Sequence, residues 1–87
     1  MNFLIAKELE GDALEEISSR SDRDEAIAEA ITASQQDKYL GSVITVMDVS
    51  SGACARLMAE KLPDSCHSHL KDAVMSKLKK ESIRISL

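Results

Sequence analysis

The longest apolar stretch of the chain runs from Tyr39 to Met58, and other segments must cover it because it cannot remain in water. Polar positions recur along it every three or four residues: Lys38, Gly41, Ser42, Thr45, Asp48, Gly52, Arg56 and Glu60. The apolar residues fall on the opposite side of a helical projection: Tyr39, Leu40, Val43, Val46, Met47, Cys54, Leu57, Met58 and Leu62. This spacing predicts an amphipathic helix over residues 38–60, with one polar side facing solvent.

The same stretch also fits a strand. Residues 42–49 combine Val and Ile with Thr45, between Gly41 and a Ser-Ser-Gly break at residues 50–52, a composition typical of strands. Strict alternation fails where Val43 and Ile44 are adjacent, although a strand buried on both faces would allow this. The helical interpretation makes residues 50–52 a kink or boundary and continues as a helix over residues 53–62, which Pro63 ends.

Further helices are predicted on either side of this stretch. Ser21 is predicted to cap the next helix, with Asp22, Asp24 and Glu25 in its first turn. A small apolar stripe follows: Ala26, Ile27, Ala30 and Ile31. After Pro63, an apolar side recurs along the last helix at Leu70, Val74 and Leu78. Asp12 is a good N-cap for a short helix carrying Ala13, Leu14 and Ile17, and residues 18–21 read as a linker.

These elements predict an all-α fold, a small bundle of about four helices, in a single domain spanning residues 1–87. The alternative is an α+β fold with short strands near residues 42–49 and 82–87. Residues 82–87 alternate apolar and polar side chains, so they are expected to form either that strand or a flexible tail.

The charge distribution is uneven along the chain. Residues 1–37 carry ten acids and three bases, a net charge of −7, whereas residues 38–87 carry a net charge of +3. Opposite charges could attract within the fold, or the acidic half could face a charged partner. The residues expected to line a partner-binding rim are Glu15, Glu16, Asp22, Asp24 and Glu25.

No motif in the chain favours catalysis or a cofactor. Cys66, His67 and His69 are the only clustered metal-ligand types, and a second pair for a zinc site is absent from the sequence. No oxyanion element accompanies Cys66 as a nucleophile. We therefore expect no enzyme activity, no cofactor and no metal.

The functional expectation is a small adaptor, regulator or inhibitor that binds another protein, with self-association as a second arrangement. The alternative is a nucleic-acid-binding regulator that uses the lysine-rich last helix: Lys71, Lys77, Lys79, Lys80 and Arg84. That helix lacks aromatic residues for stacking on bases, which makes it a thin nucleic-acid face. Two cysteines without a disulfide framework, no signal-peptide pattern and no membrane-length apolar run predict a cytoplasmic protein.

Overall fold

A computed structural model describes the backbone of residues 2–86, and the side chains of all of these except Asp12 and residues 79–86. The chain forms a four-stranded sheet and two long helices, connected by short turns and single 3-10 turns. In chain order the elements are strand β1 (Phe3–Glu8), strand β2 (Leu14–Arg20), helix α1 (Arg23–Ser34), strand β3 (Val43–Asp48), strand β4 (Cys54–Met58) and helix α2 (His67–Ser86).

The sheet is antiparallel throughout, with the strand order β2-β1-β3-β4. Two hairpins, β1–β2 and β3–β4, are each followed by a helix, so the chain is built from two ββα halves. The halves meet where β1 pairs with β3, in a register that places Ile5 opposite Val46. Each half therefore supplies one central strand and one edge strand.

The core lies between both helices and one face of the sheet, called here the inner face. Alternate strand residues point into it because side-chain direction has a period of two along a strand. Ile5, Ile44 and Val46 are fully buried there, and they form one cluster with Ile27 of α1 and Val74 of α2. Burial of these aliphatic side chains is the main force that holds the helices to the sheet.

Helix α1 is confirmed, but its predicted cap is wrong by one residue, because Asp22 and not Ser21 is the N-cap. The side chain of Asp22 is the N-cap and accepts a hydrogen bond from the backbone N–H of Glu25 at 3.0 Å. The predicted stripe is confirmed, since all four of its members are buried: Ala26, Ile27, Ala30 and Ile31. Three alanines on the packed face of α1 allow the helix to approach the sheet closely.

Helix α2 packs against β4 and α1. Val74 and Leu78 are buried and Leu70 is partly buried, which confirms the predicted apolar side. Within residues 2–86, neither helix is both long enough and apolar enough to cross a membrane. Because α2 extends to Ser86, the predicted strand over residues 82–87 is wrong as far as Ser86, and Leu87 lies outside the described residues.

The prediction of an all-α bundle, and with it the description of the protein as helical, is wrong. The structure is α+β, an antiparallel four-stranded sheet with two helices. Residues 43–48 form β3, a central strand, where the strand alternative for residues 42–49 was the correct one. Thr45 and Asp48 therefore lie on opposite faces of the sheet rather than along one helical edge. Pairing with β1 and β4 outweighs the helical spacing of the polar residues, of which Gly41 and Ser42 precede β3 and Gly52 lies in the turn after it.

Three further predictions, for segments outside β1, β3 and the two helices, are also wrong because the segments belong to edge strands. The short helix after Asp12 and the linker over residues 18–21 are replaced by β2, a mostly polar edge strand. The helix predicted over residues 53–62 is instead β4 followed by extended chain. The boundary at residues 50–52 is confirmed, because it is the turn of the β3–β4 hairpin.

That turn is built around Asp48. Its carboxylate oxygen Oδ1 accepts hydrogen bonds from the backbone N–H of Ser50 at 3.1 Å and from the Ser50 hydroxyl at 2.7 Å. Gly52 closes the turn at φ +80°, a left-handed conformation that glycine adopts without steric cost. These contacts lower the pKa of Asp48, chiefly through the hydrogen bond from the Ser50 side chain.

Candidate functional site

The face of the sheet opposite the core, called here the outer face, is the first candidate surface. Strand pairing aligns its side chains in rows across the sheet, and none of them belongs to the core cluster. Within the described residues both helices pack on the inner face, so this face is open to solvent. Its side chains are Leu4, Ala6, Glu8, Leu14, Glu16, Ser19, Val43, Thr45, Met47, Cys54, Arg56 and Met58.

A polar cluster occupies the middle of the outer face. Arg56 of β4 donates from Nη2 to Oε1 of Glu8 at 2.8 Å and from Nε to Oε2, so the ion pair is bidentate. The hydroxyl of Thr45 donates to Oε2 of the same carboxylate at 2.7 Å. Glu8 and Arg56 lie on strands separated by β3, and their pairing across it leaves Thr45 only 4% exposed.

Hydrogen bonds to Glu8 favour its ionised form. Hydrogen bonds from Arg56 first, and from Thr45 second, lower the pKa of the Glu8 carboxyl below its ordinary value. The carboxylate is thus ionised at neutral pH. An already paired carboxylate is a poor general acid or base, so this cluster fixes charge on the sheet surface rather than moving protons.

Apolar side chains surround the polar cluster. Leu14 and Met58, on the two edge strands, are 40% and 54% exposed. A shallow depression of about 320 Å³ lies among Glu8, Ala13, Leu14, Thr45, Met47, Cys54 and Arg56. The outer face therefore offers apolar contact area together with a fixed pair of opposite charges.

The five predicted acidic residues are all exposed and form two groups on consecutive elements. Glu15 and Glu16 are exposed on edge strand β2, while Asp22, Asp24 and Glu25 are exposed at the start of α1. We call these five residues the acidic flank. The bulge in β2 turns Glu15 towards the inner side, opposite Lys7, and Glu16 towards the outer face, opposite Ala6. Asp22 has a structural role as well, as the N-cap of α1.

A shallow, open groove of about 610 Å³ lies between Arg20 of β2 and the exposed side of α1, and Glu25 is the acidic-flank residue that lines it. It is lined by Arg20, Glu25, Ala28, Glu29 and Thr32. The guanidinium of Arg20 forms an ion pair with Oε1 of Glu29 across this groove. We call it the β2–α1 groove.

The cysteine–histidine segment lies at the start of α2, where Asp64 is the nearest acidic residue described. Nδ1 of His67 lies 3.9 Å from the fully exposed Asp64 carboxylate, and Cys66 is half-buried at the end of the preceding 3-10 turn. Among the residues whose positions are described, no three His, Cys, Asp or Glu side chains converge to hold a metal ion.

The lysine-rich helix is α2. Lys71 and Lys77 are exposed on it, and the side chains of Lys79, Lys80 and Arg84 lie outside the described residues. The acidic flank and α2 belong to different ββα halves. Substitutions that change the charge of the acidic flank therefore leave α2 unchanged, and the reverse also holds.

Sequence reasoning missed Glu8, Arg56 and the Arg20–Glu29 pair, and the partner-binding role of the acidic flank stays a prediction. Glu8 and Arg56 are 48 positions apart, and only the strand register brings them together. The available signal was a charged residue in each of two short apolar segments, which is common on exposed sheet faces. No family model, no curated protein and no solved structure matches this chain.

Proposed function

We propose that this protein is a small non-enzymatic regulator, an adaptor or inhibitor, that binds a basic protein partner through the acidic flank and the adjoining outer face. The observation that supports it most is the juxtaposition of the two surfaces. Glu16 of the flank lies on the outer face in the same strand as the exposed Leu14. A charged rim beside exposed apolar side chains is a common composition for a protein interface.

Each surface contributes a different part of binding. The apolar side chains of the outer face lose contact with water when covered, which favours association. The acidic flank attracts a positively charged partner before contact and raises the rate of encounter, an effect that salt weakens. The net charge of −7 over residues 1–37 makes a basic partner the complementary one.

We place this function in the cytoplasm. Two cysteines on separate elements, Cys54 on β4 and Cys66 before α2, suit a reducing compartment better than a disulfide-forming one. Self-association through the outer face is the other use of the same apolar surface, and the molar mass from light scattering distinguishes it from binding a different protein.

Cross-linking in an extract of the source cells tests the proposal. The flank variant is E15K/E16K/E25K, which leaves the Asp22 cap intact. Its matched control is E60K/D64K/D72K, with an equal change of charge at exposed positions in the other half of the chain. We expect one protein to cross-link to the wild type and to the control, and to be lost with the flank variant.

A third variant, K71E/K77E, examines the lysine-rich helix. We expect it to retain the cross-linked protein. The regulator proposal is wrong if the flank variant still cross-links to that protein. It is also wrong if K71E/K77E abolishes both the cross-link and the retention of DNA at low salt. The second outcome would favour the nucleic-acid-binding alternative.

A further inference from the structure

We propose that an extended basic segment of the partner binds as a fifth strand along β2, with alternate Lys or Arg side chains entering the β2–α1 groove. This rests on the proposed function, which it deepens by giving the partner's conformation and chemistry. The inference comes from the free edge of β2, the groove beside it and the charges that line that groove.

Strand β2 is an edge strand with the backbone of only one neighbour, β1, hydrogen-bonded to it. It is the longest strand of the sheet, with seven residues, and contains no proline. Its bulge and its charged side chains, Glu15, Glu16 and Arg20, discourage pairing with an arbitrary strand, so an added strand must carry complementary charge. The opposite edge strand, β4, has five residues. An added strand therefore has its longest uncovered backbone at β2.

Strand addition would direct side chains into the β2–α1 groove. In an added strand, every second side chain points to the inner side of the sheet, next to the inner-side residues of β2. Those residues include Arg20, opposite Phe3, and Ser18, opposite Ile5. Arg20 itself lines the groove, so the groove lies where side chains of a fifth strand would pass.

The charges beside the groove select basic side chains. Glu25 and Glu29 line it, and Glu15 lies at the other end of β2 on the same inner side. Arg20 neutralises part of this charge through Glu29, which shows the kind of side chain that the groove accepts. A second copy of this chain would bring another acidic flank against the first, and like charges at that contact oppose self-pairing.

An amide-resolved binding experiment tests the inference. The probe is a peptide as long as β2 that alternates valine with lysine, added to the full ¹⁵N-labelled chain at low salt. The control peptide has the same lysines with proline in place of valine, and so it cannot pair as a strand. We expect the first peptide to slow hydrogen exchange of β2 amides and to shift the resonances of Glu25 and Glu29, and the second to do neither.

Two variants, each with two carboxylates replaced by neutral amides, distinguish binding in the groove from attraction of the peptide to the net negative charge of the chain. E25Q/E29Q removes the groove carboxylates, whereas E60Q/D72N removes two exposed carboxylates elsewhere. We expect peptide affinity to fall about tenfold at low salt in the first variant and to change less than twofold in the second. Equal losses in the two variants would overturn the inference.

Three other results would also overturn it. The hydrogen exchange of β2 amides could stay unchanged at millimolar peptide, or the proline peptide could bind as tightly as the valine peptide. The third result is a slowing of β2 exchange that already occurs without peptide because the chain dimerises. These results leave the proposed function distinguishable. If the cross-linked partner still requires the acidic flank while β2 amides stay unprotected in that complex, the partner binds the flank without adding a strand.

Discussion

Glu8 and Arg56 form a bidentate ion pair across β3, and the hydroxyl of Thr45 donates to the same carboxylate from the strand between them. The pair thus joins β1 of one ββα half to β4 of the other. No element of the described chain covers it, so its charges are in contact with solvent and its contribution to stability is small. Its main consequence is a fixed arrangement of charge on the outer face.

Replacing Arg56 with alanine is expected to raise the pKa of Glu8 toward its ordinary value of about 4.5. The reason is that Arg56 is the largest cause of the lowered value. Titration of the Glu8 carboxyl by NMR measures the change, and Lys61→Ala is the control because Lys61 pairs with Asp37 instead. An unchanged Glu8 pKa in R56A would contradict the described pairing.

The same pair predicts a direction for stability against pH. Because folding lowers the pKa of Glu8, its stabilising contribution is fully present above the ordinary value and is lost as pH falls through the lower folded value. Urea unfolding between neutral and acid pH should therefore show a smaller loss of stability in R56A than in the wild type. A steeper loss in R56A would mean that other carboxyls account for the effect.

The core is best examined with two valines of contrasting exposure. Val46 of β3 is 0% exposed, and Val49 just after it is 58% exposed. We expect Val46→Ala to lower the free energy of unfolding by about 2 kcal/mol, from lost burial and the cavity left behind. Val49→Ala should change it by less than about 0.5 kcal/mol. Urea denaturation measures both free energies. Equal losses in the two variants would contradict the burial of Val46 in the core.

The cap of α1 can be separated from the charge of the acidic flank. Asp22→Ala is expected to lower stability by about 1 kcal/mol, because the N–H of Glu25 loses its acceptor. Asp22→Ser should keep most of that stability, since a serine hydroxyl can cap the helix without a charge. Thermal unfolding of the two variants checks this. Equal losses would assign the effect to charge.

The β3–β4 turn gives a matched test of charge and shape. Asp48→Ala removes the acceptor for both Ser50 hydrogen bonds and should cost about 1 kcal/mol. Asp48→Asn keeps an acceptor oxygen at nearly the same position and should cost less. Since the pKa of Asp48 is lowered by folding, its contribution is present above about 3.8 and is lost as pH falls through the folded value. This acid dependence should disappear in D48N, as measured by urea unfolding.

The helices could be predicted because their signals are local. Asp22 lies just before the buried stripe of α1, and Val74 and Leu78 recur at helical spacing in α2. The strands could not be predicted as reliably, since their pattern depends on neighbours. Thr45 and Val46 are both buried, one beneath an ion pair and the other beneath the helices, so β3 shows no clean alternation.

The acidic flank was also predictable, because charge density is a property of the sequence itself. The polarity of β2 led to the prediction of a linker, although an edge strand with charged residues such as Glu16 and Arg20 needs little apolar content. Long-range register, which joins Glu8 to Arg56 and aligns β2 beside α1, has no local signal. The surfaces of the candidate site consequently emerge only from the folded chain.

The strand order determines when the protein can fold during synthesis and whether its two halves can fold as separate fragments. Phe3 lies opposite Asp48 on the line where the two halves join, so β1 has no partner on that side until β3 has left the ribosome. A cut in the connection between α1 and β3 would leave each fragment with an unmatched central strand and half a hydrophobic layer. We expect neither fragment to be stable alone, and mixing the two should restore the native spectrum as complementary pieces reassociate.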